Sequence, residues 1–430
     1  MMRFISLLLG LPLILQAVDV VVTNPAGLEA AIKAAQPGDR IVLREGEWPD
    51  TVVKFKGKGT VDAPITLRAK VPGKTIFTGA SALRIGGEYL IVEGLWFQDP
   101  NPSVGDTLEF RIDSKTLASN CRLTGCAVTL NSDVGSKEDK ESRWVGLYGE
   151  SNRVDHCLFQ GKLTKGTTLV VWLGDKNVGR HVIEENYFGP REKLGKNGGE
   201  TIRVGDSKTS MQRADCIVRR NLFVKCNGEA ECISNKSCSN LYQDNSFVEV
   251  SGTLTLRHGN GCTVDGNAFF GNGAKGTGGI RVIGEDHVVK NNYLESLTGD
   301  EVRCGITFMM GLPDSPANGY FQVKRARIEN NTLVDCEHPI LIGLEGDKVP
   351  GVPNLPPLDT TFEANRVYCP KAQVVEVRCD LSGITWKDNQ LFGKELGIPE
   401  TAGIEWGHEP TVQKRQPIAR DQIGPTWWTE

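Results

Sequence analysis

Glu229 and Glu231 stand two residues apart in NGEAECISNKS, and Lys236 follows five positions later. In an extended strand, residues two apart point to the same side, so these carboxylates share a face. Asn197, in NGGETIRVG, adds an amide oxygen if its segment lies alongside. Two carboxylates and an amide oxygen are hard ligands that suit Ca2+ better than Zn2+. The structural alternative is a solvated acidic strand face. Arg257 and His258 adjoin in TLTLRHGN, and Glu200, Arg203 and Arg281 occur in the segments on either side. Taken singly, Lys236 reads as a surface lysine and Arg257–His258 as a salt-bridged surface pair. Taken together they suit one reaction. Removing the C5 proton of a uronic acid is hard because its carboxylate already carries charge and the carbanion adds more. A divalent cation on that carboxylate neutralises it. A lysine beside such a cation and an arginine parts more readily with its proton and can act as a base near neutral pH. Arg257 can stabilise charge or assist departure of the 4-linked sugar. The chemistry would be β-elimination, without addition of water.

These residues can meet only if an architecture stacks their segments. A phrase of the form V-x-x-N-x-F recurs around Asn186, Asn221, Asn245, Asn267, Asn292, Asn331, Asn365 and Asn389, with Leu95, Cys126 and Cys157 at the same place in three earlier copies. The intervals run from 22 to 39 residues. A floor near 22 with irregular insertions is the signature of a parallel β-helix, one coil per repeat. Equal offsets from the repeated position then stack about 4.8 Å apart. Counted forward from four consecutive Asn positions, Asn197, Glu200 and Arg203, then Glu229, Glu231 and Lys236, then Arg257 and His258, then Arg281 fall on one strip of the wall. Insertions are expected at 100–120, 131–150, 189–200, 312–322 and 344–358, where Gly, Pro, Ser, Asp and Lys cluster.

The expectation is therefore an all-β, single-domain solenoid over residues 18–393. Asn24-Pro25 and the Ala-rich stretch after it predict a short N-terminal capping helix that covers the open end. Residues 394–430 lack the repeat and read as a tail or cap along the solenoid. Residues 1–17 combine Arg3 with an apolar run and read as a signal peptide, which points to a periplasmic or secreted protein. No other run is long enough to span a membrane. The formal net charge is −4, so nucleic acid is not an expected partner and an acidic ligand must be met by a local basic cluster. Twelve cysteines in an exported chain suggest disulfides. Their register argues instead for buried stacking, since Cys216 and Cys262 fall two coils apart, about 10 Å, beyond bridging reach.

NGGETIRVG, NGEAECISNKSCSN, and GTLTLRHGN with GGIRVIGEDH resemble the calcium-dependent lyases of polysaccharide lyase family 6, which include chondroitinase B and many alginate lyases. The similarity runs from about residue 24 to at least 370. It implies a right-handed parallel β-helix, Ca2+ at the cleavage site, Lys236 as base, Arg257 as catalytic arginine, and Glu229, Glu231 and Asn197 as metal ligands. Glu200, Arg203, His258 and Arg281 are expected to bind the substrate, an acidic polysaccharide, and the chain to act as a monomer. Alginate is the first choice, because GGIRVIGEDH and NGYFQVKRARIENNT look closer to the alginate-cleaving members; dermatan sulfate is the rival. A β-helix glycoside hydrolase would need a close acid pair, which Glu229 and Glu231 supply by spacing. A non-catalytic glycan-binding solenoid is the third class.

Overall fold

The structure is a computed structural model that describes residues 18–130, 141–346 and 352–429. The expected signal peptide at 1–17 lies outside the described residues. Strands of successive coils pair in parallel into three sheets of 14, 13 and 14 strands that run the length of the molecule, forming a parallel β-helix. Helix α1 (Pro25–Ala34) sits at the amino-terminal end. The Asn24 side chain accepts from the Gly27 N–H at 2.9 Å, Pro25 begins the first turn, and Leu28 is buried. No helix among the described residues is long and apolar enough to cross a membrane.

The repeated phrase builds two internal ladders. At each Asn corner the chain turns through the preceding residue, and the seven non-glycine residues there (Glu185, Arg220, Asp244, Asn291, Asn330, Ala364 and Asp388) take φ between 51° and 57°. That left-handed conformation is unfavourable for most side chains, and the asparagine that follows offsets it. From Asn186 to Asn365, every backbone N–H in the series donates to the side-chain oxygen of the Asn one coil on, at 3.0–3.1 Å, and the Asn389 N–H ends the ladder on Gly403 O. Two residues further, the phenylalanine of the phrase points inward. Phe159, Phe188, Phe223, Phe247 and Phe269 stack in sequence with ring centres 5.3, 4.9, 4.7 and 4.5 Å apart.

Asn245 shows what one rung contributes. It is buried, donates to Val218 O at 2.9 Å and Asn267 Oδ1 at 2.8 Å, and accepts from the Asn221 backbone N–H at 3.1 Å. Asn245→Ala leaves a carbonyl and an N–H buried without partners. It is expected to cost about 1–3 kcal/mol, measured as a drop in thermal unfolding temperature; an unchanged unfolding curve would count against the ladder's energetic role.

A second corner carries a ladder of mixed composition. Cys121 N–H donates to Asn152 Oδ1 and Cys216 N–H to Asn240 Oδ1, both at 3.0 Å, while Asn152 N–H and Cys262 N–H donate to Nδ1 of His181 and His287, both at 3.1 Å. Both histidines are fully buried, and burial pushes them down from 6.5, His181 to about 3 and His287 to about 4. In the unfolded chain they take a proton near 6.5, and in the folded chain only well below that. Their contribution to stability is therefore present above about pH 6.5 and lost as pH falls toward about 4, by about 1.4 kcal/mol per unit of pKa difference. Replacing both by Asn, the residue at the equivalent corner of other coils, is expected to flatten the fall in unfolding temperature over that window. An acid limb as steep as that of the parent would assign the loss to other groups.

All twelve cysteines are free and eleven are buried, as the register implied. Beyond residue 393, the strand Ile404–Trp406 pairs with Asn389–Glu395, so coil structure continues past the point where the phrase ends. The chain then runs back along the 14-stranded sheet that begins at Gly46–Pro49. Arg415 donates to Gly266 O, Ile418 N–H to Ser246 Oγ, Gly424 N–H to Glu185 O and Trp427 Nε1 to Gly125 O. Ile423, Trp427 and Trp428 cover an apolar stripe formed by Trp96, Ala127, Leu158, Tyr187 and Leu222.

Candidate active site

Four strands of the 13-stranded sheet carry most of the candidate residues: Ile202–Gly205, Glu231–Lys236, Thr253–His258 and Ile280–Val282. Their pairing sets Arg203, Ser234, Thr255 and Arg281 in one row and Gly205, Lys236 and His258 in another. Between the second and third strands the register slips twice, and the second slip leaves Arg257 without a partner between the Asn235–Leu256 and Lys236–His258 pairs. A bulge of this kind re-aims its side chain. Arg257 Nε comes within 4.0 Å of Glu231 Oε1, while its guanidinium lies 4.2 Å from the Tyr320 ring centre and donates to Gly319 O at 2.8 Å. The buried Asn235 braces the bulge from inside. Its Nδ2 donates to His258 O at 2.8 Å and Ser237 O at 2.9 Å, and its Oδ1 accepts from Asn240 and the Tyr242 hydroxyl, both at 2.8 Å.

Glu229 lies just before this strand and is held by the segment around Asn197. Gly198 and Gly199 donate their N–H groups to Glu229 Oε2 at 2.8 and 3.0 Å. The approach requires glycine on both sides, since a Cβ on Gly199 would stand 2.4 Å from Gly228 O and one on Gly228 would stand 2.1 Å from Gly199 O. Asn197, Glu229, Glu231, Arg303 and Tyr320 line a cleft of about 590 Å³.

The two glutamates have opposite electrostatic settings. Burial, reinforced by the charges of Glu200 and Glu231, pushes Glu229 up to about 7 despite the two N–H donors. Burial also pushes Glu231 upward, but Arg281, Lys236, the Ser234 hydroxyl and Arg257 outweigh it and hold its carboxyl below the ordinary glutamate range. Glu231 pairs directly with Arg281 and accepts from Ser234 Oγ. Among the described residues, no three His, Cys, Asp or Glu side chains form a ready-made metal cluster. A cation here would have to complete its shell with an amide, backbone oxygens, water or substrate. An all-oxygen set fits a hard cation of that kind. So does the crowding of three carboxylates at one corner of the cleft, since the buried Glu200 leaves Oε2 without a hydrogen-bond partner while its charge helps raise Glu229.

The expected residues therefore divide. Asn197, Glu229, Glu231 and Arg281 border the cleft, and Lys236 and Arg257 act electrostatically on Glu231. Three residues expected to bind substrate are buried and held by protein partners. Glu200 is 2% exposed, with its backbone carbonyl facing Arg191. His258 is equally buried, rests against Ser207 Oγ at 3.2 Å, and is pushed down to about 3 by burial and by Arg257 and Lys236. Arg281 is 5% exposed and engaged with Glu231, so it is a buried counter-charge before it can be a substrate grip. Arg203 lies on the neighbouring coil, its guanidinium 5.1 Å from the Trp172 ring centre. The sequence reading missed Lys193, Lys196, Lys275, Arg303 and Tyr320 on the cleft walls. Lys193 and Lys196 precede Asn197 in REKLGKNGG and could have been flagged by charge alone. Lys275, at the same offset from Asn267 as Glu229 from Asn221, could have been found by spacing, and Arg303 lies one coil beyond the four aligned; Tyr320 sits in the 312–322 insertion, where offsets assign no position.

The family model described as Chondroitinase B matches residues 22–421. An alginate lyase of the PL6 family, AlyGC, is 40% identical over 96% of this chain, with a TM-score of 0.90. The match covers 59% of AlyGC, so the chain spans about three fifths of that relative's length. A mannuronic acid specific family 6 lyase from human gut microbiota is 30% identical, covering 95% of this chain and 96% of that one, with a TM-score of 0.81. The PL6 family lyase Pedsa3628 from Pseudopedobacter saltans is 25% identical, covering 95% of this chain and 100% of that one, with a TM-score of 0.78. No curated protein matches the chain. With the Chondroitinase B model spanning nearly all of the sequence and relatives of this identity sharing its coils, the chain belongs to polysaccharide lyase family 6.

Proposed function

We propose that this chain is a lyase that cleaves a 4-linked uronic-acid polymer, alginate first, by β-elimination with Ca2+ as cofactor. The observation that carries the reading is the bulge that brings Arg257 to 4.0 Å from Glu231 next to the Lys236–His258 pair, beside a cleft that also holds Glu229 and Asn197. Asn197, Glu229 and Glu231 would hold Ca2+. When bound, the ion supplies neutralisation of the uronate carboxylate and of the charge that develops next to it. Lys236 Nζ takes the C5 proton, the C–H electron pair forms the C4–C5 double bond, the C4–O bond breaks, and the departing oxygen takes up a proton. Arg257, already held by Gly319 O and Tyr320, orients the substrate against Lys236. Lys275 and Arg303 line the same cleft and can meet carboxylates of neighbouring sugars, a local basic wall on a chain of net charge −4.

The relatives at 40% and 30% identity, an alginate lyase and a mannuronic acid specific lyase, support alginate. Dermatan sulfate stands as the second reading on the family description alone. The apolar leader-like segment at 1–17 supports export, and we take the chain to act as a monomer. Mannuronate blocks, guluronate blocks and dermatan sulfate should be tested side by side for the ultraviolet absorbance of a C4–C5 double bond conjugated to the carboxylate. Growth of that absorbance on an alginate block is expected. New reducing ends without it would mean hydrolysis, and turnover of dermatan sulfate alone would reverse the substrate assignment.

A further inference from the structure

Arg191 is 3% exposed, and none of its side-chain hydrogen bonds goes to a carboxylate. Nη1 donates to Glu200 O at 2.7 Å and Thr168 Oγ1 at 3.4 Å; Nη2 donates to Gly166 O at 2.8 Å, Thr164 O at 3.1 Å and Gly198 O at 3.3 Å. A guanidinium withdrawn from water without a carboxylate partner is costly, and a fork of fixed donors is what can hold several carbonyls in one geometry. Two of the carbonyls it grips, on Gly198 and Glu200, bracket the Gly199 N–H that binds Glu229, and Asn197 precedes the first of them. The others belong to the turn one coil earlier, whose Gly166 N–H also donates to Gly198 O at 2.8 Å. A second buried cation, Lys162, braces that same turn through Thr164 O at 2.8 Å and Thr164 Oγ1 at 2.7 Å.

We propose that Arg191 is a positioning residue for the cation site: its buried guanidinium fixes the Gly198–Glu200 backbone, so that Asn197 and the two glycine N–H groups are set against Glu229. The inference rests on the Ca2+ reading above for its consequence, though not for its geometry. Arg191 does not touch substrate, and it lies behind the site rather than in it.

The test uses the full chain with Arg191→Gln and Arg191→Lys, reading Ca2+ affinity by calorimetry, amide hydrogen exchange at Gly198 and Gly199, and thermal unfolding. Loss of a residue supporting metal ligands typically weakens affinity by about 10–100-fold. The expected result for Arg191→Gln is Ca2+ binding weakened by at least about 10-fold, with faster exchange of both glycine amides and kcat approaching the parent value at saturating Ca2+. A folded Arg191→Gln with parental Ca2+ affinity and parental exchange overturns the proposal, even if its unfolding temperature drops, since a packing role alone would do that. If Arg191→Gln does not fold, Arg191→Lys decides: an ammonium has three donors for five contacts and lacks the planar fork. Should the parent bind no Ca2+, the cofactor reading fails, and the exchange rates of Gly198 and Gly199 still decide whether Arg191 holds them.

Discussion

Lys236→Ala is expected to lose at least about 10²-fold in kcat, the lower range for removal of a general base, while substrate binding survives. Binding persists because Arg257 is held independently of the lysine, by Gly319 O and the Tyr320 ring, and because Lys275 and Arg303 stand on the cleft wall. Lys236→Arg is not expected to rescue, since a guanidinium stays protonated at any working pH. Arg257→Ala should be impaired in kcat as well. Arg203→Ala should mainly raise KM, because Arg203 lies against Trp172 on the adjacent coil rather than beside Glu231. The decisive measurement is the pair kcat and KM of Lys236→Ala on the best alginate block. A kcat within a few-fold of the parent, with only KM changed, would make Lys236 a binding residue. His258 would be a poor substitute base, being 2% exposed and pushed down to about 3.

Removal of Ca2+ is expected to have an effect of comparable size. Chelation should abolish turnover on polyuronate, and Ca2+ should restore it better than Mg2+, which demands near-ideal octahedral geometry and gives up its water reluctantly. The physical ground is the charge balance of the cleft. Glu231 is satisfied by Arg281, Ser234 and more distant cations, but Glu229 is pushed up to about 7 by burial and by Glu200 and Glu231. The folded chain therefore crowds Glu200, Glu229 and Glu231 together, and a cation held by Glu229 would ease their repulsion. Ca2+ should also raise the unfolding temperature, in proportion to its occupancy of the native state. Full activity in excess chelator, together with metal analysis that finds none bound, would falsify the cofactor assignment.

Much of this architecture is legible in the sequence because a solenoid repeats its local rules. Each repeated phrase from Asn186 on encodes a strand, a corner asparagine and an inward apolar residue, phenylalanine in the coils from Asn186 to Asn267 and leucine or valine after that, and the corner residues from Asn186 to Asn389 stack as their spacing implies. The capping helix follows from Asn24 and Pro25, whose effects are also local. Glu229, Glu231, Lys236 and Arg257 could be gathered onto one strip because equal offsets become neighbours once coils stack. The tertiary structure alone decided which way they face. Two register slips break the equal-offset rule between Glu231–Lys236 and Thr253–His258, turning Arg257 toward Glu231 and folding His258 inward. Arg281 and Glu200, polar and suitably spaced, went to buried positions where pairing and backbone contacts outweigh exposure. Tyr320 reached the cleft from an insertion, and Arg191 reached the carbonyls of Gly198 and Glu200 from outside any repeated phrase. Periodicity reports only contacts that recur from coil to coil. A bulge, a loop folded over an edge, and a cation buried among carbonyls are single events set by long-range packing, so no repeat in the sequence records them.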